Sequence, residues 1–186
     1  MNIKRLSSLI LVAILGLSAC QMPGGKSDAT SAAQIDRDVD TALKNLYGST
    51  PAARKLAKTA KAILVFPGIV KAGFIGGAQY GKGALIKNGR TAGYYNMVAG
   101  SYGLQAGVQT FDYAMFFMTN SALDYLDRSE GFEVGVGPSI VVVDAGVAKS
   151  LTTTTGKNDV YAFISGQRGL MAGLGLQGSK ITRINP

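Results

Sequence analysis

Histidine and tryptophan are absent from the 186-residue chain, and cysteine occurs once, at Cys20. The lack of histidine excludes a Ser-His-Asp triad, imidazole acid–base catalysis and histidine-bearing zinc sites. A single cysteine excludes an internal disulfide and a cysteine-based zinc site. Asp112 and Asp144 interrupt apolar runs, but a strand-end carboxylate usually caps a turn or pairs with a lysine. We therefore expect no enzymatic activity, no metal and no cofactor.

The N-terminal apolar stretch, residues 6–19, is shorter than the about 20 residues that a membrane-spanning helix needs. It follows the basic pair Lys4-Arg5, as in a secretory signal. It ends in Leu17-Ser18-Ala19-Cys20, which resembles a bacterial lipoprotein box, in which the cysteine is lipidated and becomes the new N-terminus. The alternative is an ordinary signal peptide that happens to contain a cysteine.

We therefore expect three segments: a signal peptide over residues 1–19, a flexible tether over 20–33 and one domain over 34–186. The tether is small, polar and bears Gly and Pro, which is typical of flexible linkers. By resemblance to bacterial lipoproteins, Gln21 after the cysteine points to the outer membrane. We predict that a lipid anchors the protein to the outer membrane and that the domain faces the periplasm.

Acidic residues are missing from residues 41–111, which contain nine Lys and Arg, in a chain of net charge +8. Arg54, Lys58 and Lys61 follow one another at i, i+4 and i+7 on a predicted helix, beside Lys55. Such a face is most often simply solvated. It also suits an anionic membrane surface, where each cation contributes about 1 kcal/mol. Nucleic acid, the other usual partner of basic patches, is not expected for an exported chain.

The segment GGAQYGKG, residues 76–83, fits all but the last position of a phosphate-binding loop. Gly83 stands where that loop needs a hydroxyl for magnesium. The residues after it run into Asn88-Gly89, a hairpin turn signal, so no helix follows to present its N–H groups to a phosphate. We therefore predict a strand with Lys82 as a surface cation, and no nucleotide.

The pattern of turns and periodicities predicts two helices, then strands, one short helix and further strands. Ser31 to Gln34 fits a capping box, and Pro51 starts a second helix that continues to about Ala60. The predicted strands are 62–66 (ending at Pro67-Gly68), 74–86, 91–95, 98–109, 111–119, 132–136, 140–147, 160–165, 169–176 and 180–184. This order indicates an α+β fold. Glycines spaced four apart suggest a small, closed or nearly closed antiparallel β-barrel-like core with about three helices outside it.

From about Ile35 onward, the chain resembles the SYLF domain family. The stretches that carry the resemblance are AKAILVFPGIVKAGFIGGAQYGKG (60–83), GSYGLQAGVQTFDYAMFF (100–117) and SGQRGLMAGLGLQGSKI (165–181). The resemblance implies a barrel-like core with packed helices that binds phosphoinositides or other acidic phospholipids through basic residues near the N-terminus of the domain. The corresponding candidates are Arg54, Lys55, Lys58, Lys61 and Lys71, with Lys82 added on charge alone.

The chain departs from the family pattern after the central hairpin, where Gly93 to Met97 replaces the tryptophan and proline of many members. No SH3 or FYVE module accompanies the domain, so actin is not carried over as a partner. An alternative function is that of a structural or assembly lipoprotein that docks an envelope protein. Tyr94, Tyr95 and Tyr102 would be its anchors, because tyrosine is enriched at interfaces.

Overall fold

The structure, a computed structural model, describes residues 31–73, 76–102, 107–128, 132–133, 138–143, 158–169 and 179–186. These residues form three helices and eight strands. The helices are α1 (Ala32–Ser49), α2 (Pro51–Ala57) and α3 (Asn120–Arg128). The strands are β1 (Ala62–Gly73), β2 (Gly76–Lys87), β3 (Arg90–Tyr102), β4 (Gly107–Phe117), β5 (Phe132–Glu133), β6 (Ile140–Val143), β7 (Val160–Gly169) and β8 (Ser179–Ile184). No helix among them is both long and apolar enough to cross a membrane.

One sheet contains all eight strands, in the order β5-β8-β3-β2-β1-β4-β7-β6. Every pairing is antiparallel except that of β6 with β7. The α+β class is confirmed, but the closed barrel is wrong, because the sheet is not closed on itself. Helices pack on both faces, so the sheet carries an apolar core on each side instead of enclosing one interior.

Gly81, one of the glycines whose spacing suggested barrel corners, serves close packing instead, as does Gly83 two residues further on. A Cβ built on Gly81 would lie 2.7 Å from Ile69 Cγ1, and one on Gly83 would lie 2.7 Å from Phe66 Cδ1. Both glycines therefore make room for large side chains of β1 on the same face of the sheet. A small residue on one face of a strand can mark close approach of a neighbouring side chain as well as a corner.

β1 continues through Pro67-Gly68, where the sequence predicted its end. The register with both β2 and β4 shifts at this point, which identifies a β-bulge. Gly68 has φ +60°, a conformation that glycine adopts without steric cost. Its N–H donates to Asp112 Oδ1 at 2.8 Å. The bulge therefore satisfies a backbone donor through Asp112, and the strand resumes beyond it.

The predicted Asn88-Gly89 hairpin is confirmed. Both residues have positive φ, 52° and 72°, as a two-residue turn of this kind requires. The turn joins β2 to β3, whose register runs from Lys87 opposite Arg90 to Gly76 opposite Tyr102. The GGAQYGKG segment is thus part of a paired strand, as predicted, and a second strand follows it where a phosphate loop would need a helix.

Two hydrophobic cores lie on opposite faces of the sheet. We call the first the α1 face, where Ile35, Val39 and Leu46 of α1 pack on β-strand residues such as Val65 and Phe116. The second is the α3 face. Its core contains Leu64, Phe66, Ile69, Leu85, Tyr95, Met97, Phe111, Tyr113, Met115 and Phe117 of the strands with Ala122, Leu123 and Leu126 of α3.

The start of α1 is held by its cap and by polar contacts to β3. Ser31 Oγ accepts the N–H of Gln34 at 3.3 Å, which confirms the predicted N-cap. Asp36 accepts hydrogen bonds from Thr91 Oγ1 at 2.9 Å and from Tyr94 Oη at 3.0 Å. These contacts fix the N-terminal turns of α1 on the sheet.

Replacing Tyr113 by phenylalanine is expected to raise the free energy of unfolding by about 1 kcal/mol at neutral pH. Tyr113 Oη is buried on the α3 face without a hydrogen-bond partner in the described part of the chain. Burial also raises the pKa of Tyr113 well above its usual value. Urea unfolding at pH 7 measures the difference.

The same variant should lose less stability in alkali. Above about pH 10, the unfolded tyrosine releases its proton while the buried one keeps it. The folded state then binds more protons, so stability falls as pH rises. Tyr113→Phe removes this part of the loss. Equal alkaline losses in the two proteins would contradict the assignment.

Candidate functional site

The four predicted cations of the second helix lie at its end and in the turn that follows. The helix is shorter than predicted: it ends at Ala57, Lys58 is its C-cap, and Lys61 lies beyond it. Lys61 therefore continues no helical stripe, although its backbone N–H donates to Phe117 O and holds the turn against β4. All four side chains are nevertheless exposed on this short segment. We call Arg54, Lys55, Lys58 and Lys61 the basic cluster.

No salt bridge joins the basic cluster to an acidic residue in the described part of the chain. The salt bridge found there joins Arg128 to Asp124, both on α3. Arg54 Nη2 donates to the Tyr47 carbonyl oxygen at 2.9 Å, which fixes the direction of its side chain at the C-terminal end of α1. Cations at a helix C-terminus also complement the helix dipole. The cluster therefore presents positive charge to whatever lies outside it.

Lys71 does not lie with the basic cluster. It lies on the α3 face of β1, past the bulge, and its side chain is completely buried between Gln79 of β2 and Gln109 of β4. Burial lowers the pKa of Lys71. It has an interaction partner inside the protein. A head group outside the protein cannot reach this ammonium group, so Lys71 is not one of the exposed candidates.

Lys82 lies on the α1 face of β2, opposite Asn96 of β3, and is half-buried. It borders a groove of about 330 Å³ between the start of α1 and the sheet, together with Ile35, Asp38, Val70 and Tyr80. It is thus a surface cation, as predicted. It lies at the opposite end of α1 from Arg54, so it belongs to a second surface.

That second surface carries exposed apolar side chains, which the sequence did not identify. We call Val70, Tyr80, Val98 and Val108 the apolar stripe; they are 46%, 47%, 49% and 59% exposed. Val70 pairs with Tyr80, and Tyr80 pairs with Val98, so three members lie side by side across β1, β2 and β3. The signal in the sequence is an alternation in which Val70, Tyr80 and Val108 stand next to Lys71, Gln79 and Gln109, and only the structure shows that the polar set is the buried one.

The tyrosines proposed as anchors for a protein partner are placed differently from one another. Tyr95 is buried on the α3 face, where burial and the charge of Asp127 raise its pKa. Tyr94 is half-buried and donates to Asp36. The side chain of Tyr102 lies outside the described part. Tyr95 therefore cannot serve as an exposed anchor.

The structure describes one of the two carboxylates that were considered for catalysis. Asp112 receives the N–H of Gly68 at the bulge and so acts as a turn cap. Asp144 lies outside the described residues, as do Cys20 and the predicted signal peptide. Residues 31–33 of the predicted tether are described, and α1 already begins at Ala32.

A known protein family matches the C-terminal part of the chain, which includes Val98 and Val108 of the apolar stripe. Residues 98–185 match the family described as "Ysc84: Las17-binding protein actin regulator", which is the SYLF domain family. This part of the chain is similar to the SYLF family. The SYLF family is associated with lipid binding and, by its description, with an actin regulator. No curated protein matches the chain.

The SYLF match begins at Val98 in β3 and reaches the end of β8. The basic cluster on α2 lies outside it, whereas Val98 and Val108 of the apolar stripe lie inside it. The fold of the chain nevertheless joins the two parts in one sheet, because β1 pairs with β4 and β3 pairs with β8. The matched part of the chain therefore shares its cores with the preceding helices and strands.

Proposed function

We propose that the chain is an outer-membrane-anchored, periplasm-facing lipoprotein whose SYLF domain binds acidic phospholipid head groups. The ligands resemble phosphoinositides in charge, and the basic cluster supplies the contact. Cys20 carries the lipid. The observation that supports the proposal best is four exposed cations within eight residues, with no acid bridging them in the described ranges.

The free energy expected from these cations fits a weak, reversible contact with the membrane. Each Lys or Arg near an anionic bilayer contributes about 1 kcal/mol, and a flat surface touches one side of α2 at a time. Two cations, Arg54 and Lys58, lie one helical turn apart. Together they add about 2 kcal/mol to membrane binding, which gives a free protein only weak binding but is enough to orient one that a lipid already anchors.

Changing Arg54 and Lys58 together to glutamine is expected to weaken binding to acidic vesicles about 25-fold. The measurement is co-sedimentation of residues 31–186, which contain every described helix and strand, with vesicles of neutral lipid alone or neutral plus anionic lipid. Binding should also fall with added salt, because the screening length shortens to about 8 Å at physiological ionic strength.

The matched control is Arg128→Gln with Arg183→Gln, which removes the same charge from the α3 face. Its binding should stay close to that of the unchanged protein. Equal binding of the unchanged protein to neutral and acidic vesicles would contradict the proposal. So would an equal loss in the control and in the Arg54/Lys58 variant, since the effect would then follow net charge alone.

A further inference from the structure

The apolar stripe forms part of a flat surface at one end of the α1 face. Val70, Tyr80 and Val98 lie in one row across three strands, and Val108 lies in the next row opposite Ala72. Small exposed residues fill the rest of that second row: Ala72, Ala78 and Gly100. No large polar side chain interrupts the two rows. Contiguous exposed apolar surface of this kind marks an interaction site.

Cations border the apolar stripe on three sides. Lys180 of β8 pairs with Val98, and Arg168 of β7 pairs with Thr110, which in turn pairs with Val70. Lys82 lies two residues from Tyr80 on β2 and borders the same groove. None of the three forms a salt bridge within the described ranges, although Asp38 lines the same groove as Lys82, and Asp38 and Asp112 line a second groove with Arg168. We call Lys82, Arg168 and Lys180 the basic rim.

The basic rim decides which occupant suits the stripe. A second copy docked face to face would bring two positive rims together, and like charges opposed at an interface cost several kcal/mol. An acidic bilayer instead offers phosphate groups to the rim and acyl-chain boundary to valine and tyrosine side chains. Tyrosine, with an apolar ring and a polar hydroxyl, is a residue enriched at that level of a membrane.

The course of the chain places the apolar stripe near the predicted anchor. The first turns of α1 contribute Ile35 and Asp38 to the groove beside Val70 and Tyr80. The chain thus enters the domain beside the stripe. Ten residues separate Cys20 from Ser31, and ten residues span at most about 35 Å. A lipid on Cys20 would therefore hold the stripe close to the bilayer surface.

We propose that the apolar stripe and its basic rim dock the domain on an acidic lipid surface, with the side chains of the stripe at the depth of the lipid head groups. This inference rests on the proposed function only in that both contacts involve acidic lipid. The sites are distinct, because α1, whose 18 residues span about 27 Å, runs from the stripe to the basic cluster. A label at each end can therefore tell them apart.

The test uses the full chain reconstituted into vesicles that contain a lipid-borne quencher. A fluorophore is attached to one introduced thiol, at Val98→Cys in the stripe, at Thr59→Cys beside the basic cluster or at Ser121→Cys on α3. The unchanged chain serves as the labelling blank, because Cys20 is its sole cysteine. Each labelled protein is measured in neutral vesicles and in vesicles with anionic lipid.

The expected result is strong quenching of the Val98 label with anionic lipid, weaker quenching with neutral lipid and little quenching of the Ser121 label. Quenching of the Thr59 label without that of Val98 would overturn the inference and leave the proposed function standing. Quenching of neither label would overturn both. A Val98 label already shielded without lipid would show the chain itself or a second copy on the stripe, which also overturns the inference.

Two variants separate the rim from the stripe. Arg168→Gln with Lys180→Gln should lower the ratio of docked to undocked protein, as reported by the Val98 label, about 25-fold. Each cation near an anionic surface contributes about fivefold to that ratio. Val70→Thr with Val108→Thr keeps β-branched side chains on the strands and should reduce quenching in both vesicle types. Both variants should leave the Thr59 label unchanged. No change in Val98 quenching from either variant would overturn the docking surface.

Discussion

Replacing Gly83 by alanine is expected to lower the free energy of unfolding by about 3 kcal/mol, at the upper end of the cost of overpacking a core. A Cβ at this position would overlap the carbonyl oxygen of Val65 and lie 2.7 Å from Phe66 Cδ1. The first of these atoms is backbone in the strand paired with β2, so it cannot move aside as a flexible side chain would. Relief requires that β1 and β2 separate.

Gly100→Ala is the matched control for Gly83→Ala. A Cβ built on Gly100 meets nothing within 4 Å, and the residue lies exposed on β3 of the same sheet. Alanine there should leave stability unchanged or raise it by about 0.5 kcal/mol, because glycine is the less favourable residue in a strand. Urea unfolding followed by circular dichroism measures both. A Gly83 variant as stable as the Gly100 variant would refute the close approach of the two strands.

Truncation of Phe116 to alanine is expected to cost about 4 kcal/mol of unfolding free energy. The ring is completely buried on the α1 face and contacts Phe163 edge to face, with centroids 5.2 Å apart and planes at 72°. The loss combines buried apolar area with a cavity between α1 and the sheet. Urea unfolding at pH 7 measures it.

Tyr80→Ala provides the comparison, since it removes an aromatic ring of similar size from the same sheet. Tyr80 is 47% exposed in the apolar stripe, so its loss should cost about 0.5 kcal/mol or less. A double-mutant cycle that combines Phe116→Ala with Phe163→Ala should return a coupling energy of about 1 kcal/mol for the Phe116–Phe163 ring pair. Equal destabilisation by Phe116→Ala and Tyr80→Ala would show that the stripe is not the exposed surface described.

Local features were readable from the sequence because neighbouring residues produce them. Ser31 before an amphipathic run gives the N-cap of α1, and Asn88-Gly89 supplies the two positive φ values of the β2–β3 turn. The same turn predicted that no helix follows GGAQYGKG. The order of helices and strands, and hence the α+β class, came from the same short-range signals, although the predicted strand 98–109 is wrong, because its ends belong to β3 and β4.

Pairing between distant strands was not readable in this way. Pro67-Gly68 looked like the end of a strand because proline lacks an N–H and glycine favours turns. The strand instead continues through a bulge, in which Asp112, 44 residues further on, accepts the N–H of Gly68. The spacing of the glycines likewise suggested a barrel corner, whereas Ile69, the side chain that occupies the space beside Gly81, lies on another strand.

The sequence by itself determined the kinds of chemistry open to this protein. The absence of histidine and the single cysteine excluded imidazole and disulfide chemistry, and the composition set a net positive charge with many lysines and arginines near the start of the domain. Tertiary structure alone decided which charged side chains are exposed to solvent. Strand pairing buries Lys71, leaves Lys82 half-buried in a groove and aligns Val70, Tyr80 and Val98 on an uncovered row. Burial depends on what lies across the sheet, and that is set by contacts between residues far apart in the chain.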